Sequence, residues 1–122
     1  MKFFKCDKCG NIVQMINESG MPMSCCGQEM TELIPGITDG DVEKHVPVYF
    51  CEGNWVTVIV GVKDHPMAYE HYIEWIVLET SCGSYMKKLK PGSTPKASFL
   101  VSPCERIMGA YAYCNIHGLW KS

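Results

Sequence analysis

Near its C-terminal end the sequence reads Cys114-Asn115-Ile116-His117-Gly118, which sets a thiolate donor and an imidazole donor three residues apart. The apolar run Ile107 to Tyr113 leads directly into it. The other histidines, His45, His65 and His71, lie far upstream. One metal ion can use all of them only if the chain returns to this point, so the motif constrains every segment in between. Nitrogen-rich ligation with one soft thiolate suits redox-active iron or copper better than zinc, which has no redox chemistry.

With 122 residues, 47% of them hydrophobic, the chain can bury a real core in one ordinary domain with a small appendage. Its eight cysteines are therefore not needed as a substitute for a core. In a secreted protein they would read as a disulfide framework, but four of them crowd into the first 26 residues. No apolar run of signal-peptide length follows Met1, so the expectation is a soluble, cytoplasmic, metal-binding protein. The formal net charge is -2 and no basic run exceeds Met86-Lys87-Lys88-Leu89-Lys90, which argues against a nucleic-acid surface. No segment is long and apolar enough to suggest a membrane span.

Residues 1–36 read as a separate small unit. Lys2 to Lys5, Asn11 to Ile16 and Met30 to Ile34 are strand-like, Cys9-Gly10 and Ser19-Gly20 mark turns, and Pro35-Gly36 is a hinge. So short a unit needs a staple or a metal. Within residues 37–122, Trp55 to Val62 alternates β-branched residues, with Val56, Val58, Val60 and Val62 on one face. Tyr72 to Thr80, Ser84 to Leu89, Ala97 to Ser102 and Ile107 to Tyr113 read as further strands. With no convincing amphipathic helix, the pattern predicts an all-β chain whose larger part is an immunoglobulin-like β-sandwich.

Cys6-x-x-Cys9 and the pair Cys25-Cys26 offer four thiolates, a set that suits zinc or a single iron. Adjacent cysteines reach one ion only through a strained turn, which Gly27 is placed to relieve. The three upstream histidines sit at strand edges: His45 in Glu43-Lys44-His45-Val46-Pro47, His65 in Asp64-His65-Pro66, and His71 at the start of a long strand. A single loop histidine is usually just solvated. All of them at strand ends, together with Cys-x-x-His, point to a built site. Cys51 and Cys82 read as small buried hydrophobes and Cys104 as an exposed thiol. Trp55, Trp75 and Trp120 read as core or site-lining, and Tyr69, Tyr72, Tyr111 and Tyr113 as strand packing.

These motifs together resemble the desulfoferrodoxins, the two-iron superoxide reductases, over nearly the whole chain. The resemblance implies a desulforedoxin-like N-terminal domain, residues 1–36, with one iron on Cys6, Cys9, Cys25 and Cys26. It implies a catalytic domain, residues 37–122, with His45, His65, His71 and His117 as equatorial ligands and Cys114 as the axial ligand of a second iron. The implied reaction takes superoxide, one electron and two protons to hydrogen peroxide. Lys44 would attract superoxide and orient water, Glu43 would coordinate the oxidised iron after product leaves, and both would lie on a mobile loop between glycines. A rubredoxin-like electron donor and a homodimer are implied as well. The competing reading is an electron carrier that works through the four-cysteine iron, and a zinc-stabilised interaction module is a third. Five intact donors beside Glu43 and Lys44 argue against both.

Overall fold

The computed structural model describes residues 1–122, which fall into two compact units, Met1–Ile34 and Pro35–Ser122. In the first, β1 (Lys2–Lys5) pairs antiparallel with β2 (Ile12–Met15) on one side and β5 (Thr31–Glu32) on the other. A separate hairpin joins β3 (Ser24–Cys25) to β4 (Gln28–Glu29), with Cys25 opposite Gln28 and Cys26-Gly27 as its two-residue loop. Both loop residues have positive φ, 53° at Cys26 and 74° at Gly27, the primed geometry whose twist matches the flanking strands. The expected relief by Gly27 is thus only part of the solution: Cys26 itself takes the left-handed conformation. That costs a residue with a Cβ on the order of 1–3 kcal/mol, and it is how neighbouring thiols turn toward one point.

The second unit is a sandwich. One sheet has the order β10 (Lys96–Leu100), β7 (Trp55–Val60), β6 (Pro47–Glu52); the other has β12 (Gly118–Lys121), β11 (Ile107–Cys114), β8 (Ile73–Thr80), β9 (Gly83–Lys88). All pairings are antiparallel. Alternation puts Val56, Val58 and Val60 of β7 and Ala97 and Phe99 of β10 inward. They meet Ile76 and Leu78 of β8 and Ala110 and Ala112 of β11, so both sheets share one core, as an immunoglobulin-like sandwich requires. The one helix is α1 (Val42–His45), and no helix is long and apolar enough to cross a membrane.

Several local expectations are corrected. Glu43 and Lys44 lie on α1, not on a loop, because the Asp41 carboxylate caps the turn by accepting the Glu43 N–H at 3.0 Å. The strand at Trp55 stops at Val60, where Gly61 turns the chain, and Val62 is exposed. β6 and β12 escape a reading of the sequence because β12 has only four residues and β6 faces solvent along most of its length. Cys51 lies on that exposed edge strand and Cys82 in the β8–β9 turn, so both thiols are exposed rather than buried; Cys104 is exposed as expected. Trp55 and Tyr69 are likewise exposed, since a strand end and a loop have no sheet above them.

Only Phe3, Cys6 and Met30 are buried within Met1–Ile34, too little apolar surface to hold a left-handed cysteine unaided. Cys9→Ser should therefore cost this unit its metal and its order. Amide exchange should show protection lost over residues 2–32 and retained in β7, β8 and β11.

Candidate metal centres

Each ligating side chain of the larger unit is delivered by a different local device. His45 ends α1, where its N–H is bonded to the Asp41 carbonyl at 3.1 Å and its ring Nδ1 lies 2.7 Å from the same oxygen. His65 follows the turn after β7, and its Nδ1 lies 2.6 Å from the Pro66 carbonyl oxygen. His71 sits in an isolated antiparallel bridge with Ala68, just before β8. Cys114 is the last residue of β11, and His117 closes the tight connection to β12.

These devices bring one donor atom from each of His45, His65, His71, Cys114 and His117 within 4.8 Å of one another. Because Nδ1 of His45 and His65 faces a carbonyl, that nitrogen carries the proton and Nε2 is left with a lone pair. The two Nε2 atoms nevertheless face each other at 3.1 Å, and His45 Nε2 lies 2.9 Å from His117 Nδ1. Lone pairs cannot bond to each other. His71 Nε2 is buried and has no partner at all. Such spacings are those of neighbouring ligands on an ion with metal–nitrogen bonds of about 2.1 Å. The donor set fits a cation.

The electrostatics agree. Burial holds the imidazoles of His45 and His71 below the ordinary histidine range and that of His65 down to about 4. All three are neutral at pH 7, the state a metal binds. Burial pushes the Cys114 thiol up, opposed by the backbone N–H groups of His117 and Ile116 at its sulfur. The His117 N–H donates to Sγ at 3.4 Å.

Sequence reading names few of the groups around these ligands. Trp120 is one it does single out: its indole stacks on the His45 ring at 4.9 Å and 26°, and its Nε1–H donates to the His117 carbonyl at 3.1 Å. The Thr38 hydroxyl donates to the same carbonyl. Gly40 passes so close that a Cβ there would lie 2.9 Å from Trp120 Cζ2 and 3.3 Å from His45 Cε1. Glu43 and Lys44 are exposed on α1, and Glu43 pairs with Lys63 at 2.7 Å.

In the smaller unit the sulfurs of Cys6, Cys9, Cys25 and Cys26 also lie within 4.8 Å of one another. Cys9 and Cys25 sulfurs are 3.6 Å apart and those of Cys25 and Cys26 4.0 Å, the edges of a tetrahedron with metal–sulfur bonds of about 2.3 Å. Hydrogen bonds from the Cys9 backbone above all hold the Cys6 thiol down at about 7, whereas crowding by Cys9 and the other thiols drives Cys26 up to about 12. Four thiols this close do not ionise together without a cation. This set also fits a metal.

A four-sulfur unit ahead of a β-sandwich that carries a four-histidine, one-cysteine cluster defines a non-haem iron protein with two centres. The desulfoferrodoxin family model matches residues 37–122, and its N-terminal domain model matches residues 1–33. A desulfoferrodoxin homolog from Archaeoglobus fulgidus is 50% identical over 100% of this chain and 96% of its own. The desulfoferrodoxin of Nitratidesulfovibrio vulgaris is 43% identical over 99% of this chain and 94% of its own. Among solved structures, the superoxide reductase from Treponema pallidum superposes with a TM-score of 0.84 at 32% identity, covering 99% of this chain and 97% of that one. The chain belongs to the desulfoferrodoxin family, and its two donor sets match two irons per chain.

Gly40→Ala should displace Trp120 and with it the rings of His45 and His117. Metal analysis should find the histidine centre depleted by about 10-fold or more, as for other groups that hold ligands in place, with the four-cysteine centre still loaded.

Proposed function

We propose that the chain is a superoxide reductase: superoxide gains one electron and two protons and leaves as hydrogen peroxide. The observation that carries this reading is the convergence of four imidazole nitrogens and one thiol within 4.8 Å. A ferrous ion held by these five donors would supply the electron. His45, His65, His71 and His117 hold that ion in their neutral forms, and Cys114 supplies the negatively charged donor. The N–H groups at its sulfur temper how strongly the thiolate donates. His45, His65 and Cys114 are buried, whereas His71 and His117 are half-buried, so solvent reaches the cluster from their side. Cys6, Cys9, Cys25 and Cys26 hold the other iron.

Lys44 is the residue that draws the substrate in. Its ammonium is close enough to lower the proton affinity of His71, and a positive charge beside the mouth of the site raises the encounter rate of an anion. It also orients the water that delivers protons. Glu43 would be the carboxylate available to the oxidised ion once product has left. Its exposed pair with Lys63 is worth no more than about 1 kcal/mol, so releasing the carboxylate costs little. A rubredoxin-like iron protein is the proposed electron donor, a homodimer the proposed assembly and the cytoplasm the proposed location, each supported by family resemblance.

The test is stoichiometry. Pre-reduced protein mixed with superoxide should form one hydrogen peroxide per superoxide consumed and release no oxygen. Equal yields of oxygen and peroxide would mean dismutation instead, and no consumption beyond the spontaneous rate would leave an electron carrier. Lys44→Ala should slow superoxide association by about 10-fold at low salt and flatten its ionic-strength dependence. Unchanged kinetics would remove the steering role.

A further inference from the structure

The carbonyls of Asp41 and Pro66 orient the rings of His45 and His65 directly. The His71 ring has no such carbonyl partner, and its buried, unpartnered Nε2 is the nitrogen left for an ion. Its only local tie is a two-bond bridge to Ala68, with Ala68 N–H to His71 O at 3.0 Å and His71 N–H to Ala68 O at 3.1 Å. A four-residue turn closed on itself does not fix the loop relative to the other ligands. Something must connect it to them.

That connection is the side chain of Asn115. Its Nδ2–H donates to the Glu70 carbonyl at 3.0 Å, and its Oδ1 accepts the Tyr72 N–H at 3.0 Å. Those are the backbone groups immediately before and after His71. The Asn115 N–H adds a third bond, to the Tyr72 carbonyl at 3.2 Å. The β8–β11 ladder slips register between Tyr113 and Cys114 and reaches its last rung at Cys114 opposite Ile73. Beyond it, one carboxamide offers a donor and an acceptor side by side, as a strand would, and carries the pairing past the slip.

We propose that Asn115 is a positioning residue of the histidine–cysteine centre, bracketing His71 by its flanking peptide groups and tying it to the turn that carries Cys114 and His117. Three of the five donors then move as one body. A loop free to swing by a fraction of an ångström would lengthen the bond to His71 alone. The bracket therefore sets how tightly the ion is held and which oxidation state the geometry favours. An aspartate cannot replace it, since it keeps the acceptor for Tyr72 and loses the donor to Glu70. Serine is too short to span both groups.

The inference rests on His71 being a ligand, which His71→Ala tests by itself. Loss of the visible signature of the oxidised histidine centre in that variant establishes the ligand; an unaltered signature removes both the assignment and the bracket. With the ligand established, holoprotein carrying Asn115→Ala should release iron from that centre to a ferrous chelator about 10–100-fold faster than the parent, the usual consequence of freeing a ligand. Its midpoint potential and visible band should shift, while those of the four-cysteine centre stay fixed. Asn115→Asp, which keeps one of the two side-chain bonds, should fall between. Should Asn115→Ala fail to fold, a parent-like release rate and potential in Asn115→Asp would overturn the proposal. So would a lowered melting temperature in Asn115→Ala with release rate and potential unmoved, because that is what mere packing would give.

Discussion

Two imidazole nitrogens with no proton between them face each other at 3.1 Å inside the larger unit, and the arrangement is costly until a cation joins them. Desolvation already keeps these rings neutral, so the site cannot relieve itself by protonation near pH 7. The fold must hold the donors in place before the metal arrives. Much of what is distinctive around the site serves that end: a capped single-turn helix, a ring pinned by its neighbour's carbonyl, an indole laid over His45, and a glycine where no Cβ fits.

The sandwich makes this affordable because its rigid part and its binding part are separate. Val58, Ile76, Leu78 and Ala112 are fully buried between the sheets and fix where the strand ends project. Apolar burial at roughly 25 cal/mol per Å² stabilises that frame and leaves the connecting segments free to present donors. In Met1–Ile34 the balance is reversed. There the buried apolar set is small, Cys26 is held in a left-handed turn, and crowded thiols oppose one another's ionisation. A metal would be the organising contact there, whereas in Pro35–Ser122 the apolar core between the sheets supplies the frame.

The two donor sets also divide the chemistry. Four thiolates satisfy a tetrahedral ion completely, which suits an ion that holds structure or exchanges electrons without binding anything further. The four imidazoles and one thiol of the other set would suit an ion that also binds a small ligand, and His71 and His117 are the half-buried members of that set. Lys44 and Glu43 carry opposite charges on consecutive residues of the helical turn that ends in His45.

The two donor sets and the all-β architecture were legible in the sequence because the patterns that carry them are local. Alternation along Trp55 to Val60 needs only a period of two, and Cys-x-x-His or Cys-x-x-Cys needs only short spacing. Cys51 and Cys82 were misread because burial depends on what lies across a strand: β6 is an edge and position 82 a turn. The helical turn at Glu43 and Lys44 was hidden because one capped turn is too short for any periodicity. Asn115 sits in plain view between Cys114 and His117, yet its partners at Glu70 and Tyr72 lie more than forty residues away in the chain. The sequence by itself determined which atoms are able to bind a metal, since that is a property of side-chain chemistry. Only the tertiary structure decided which nitrogen of each ring faces inward and what holds it there, because a ring is turned by carbonyls and indoles that folding alone brings beside it.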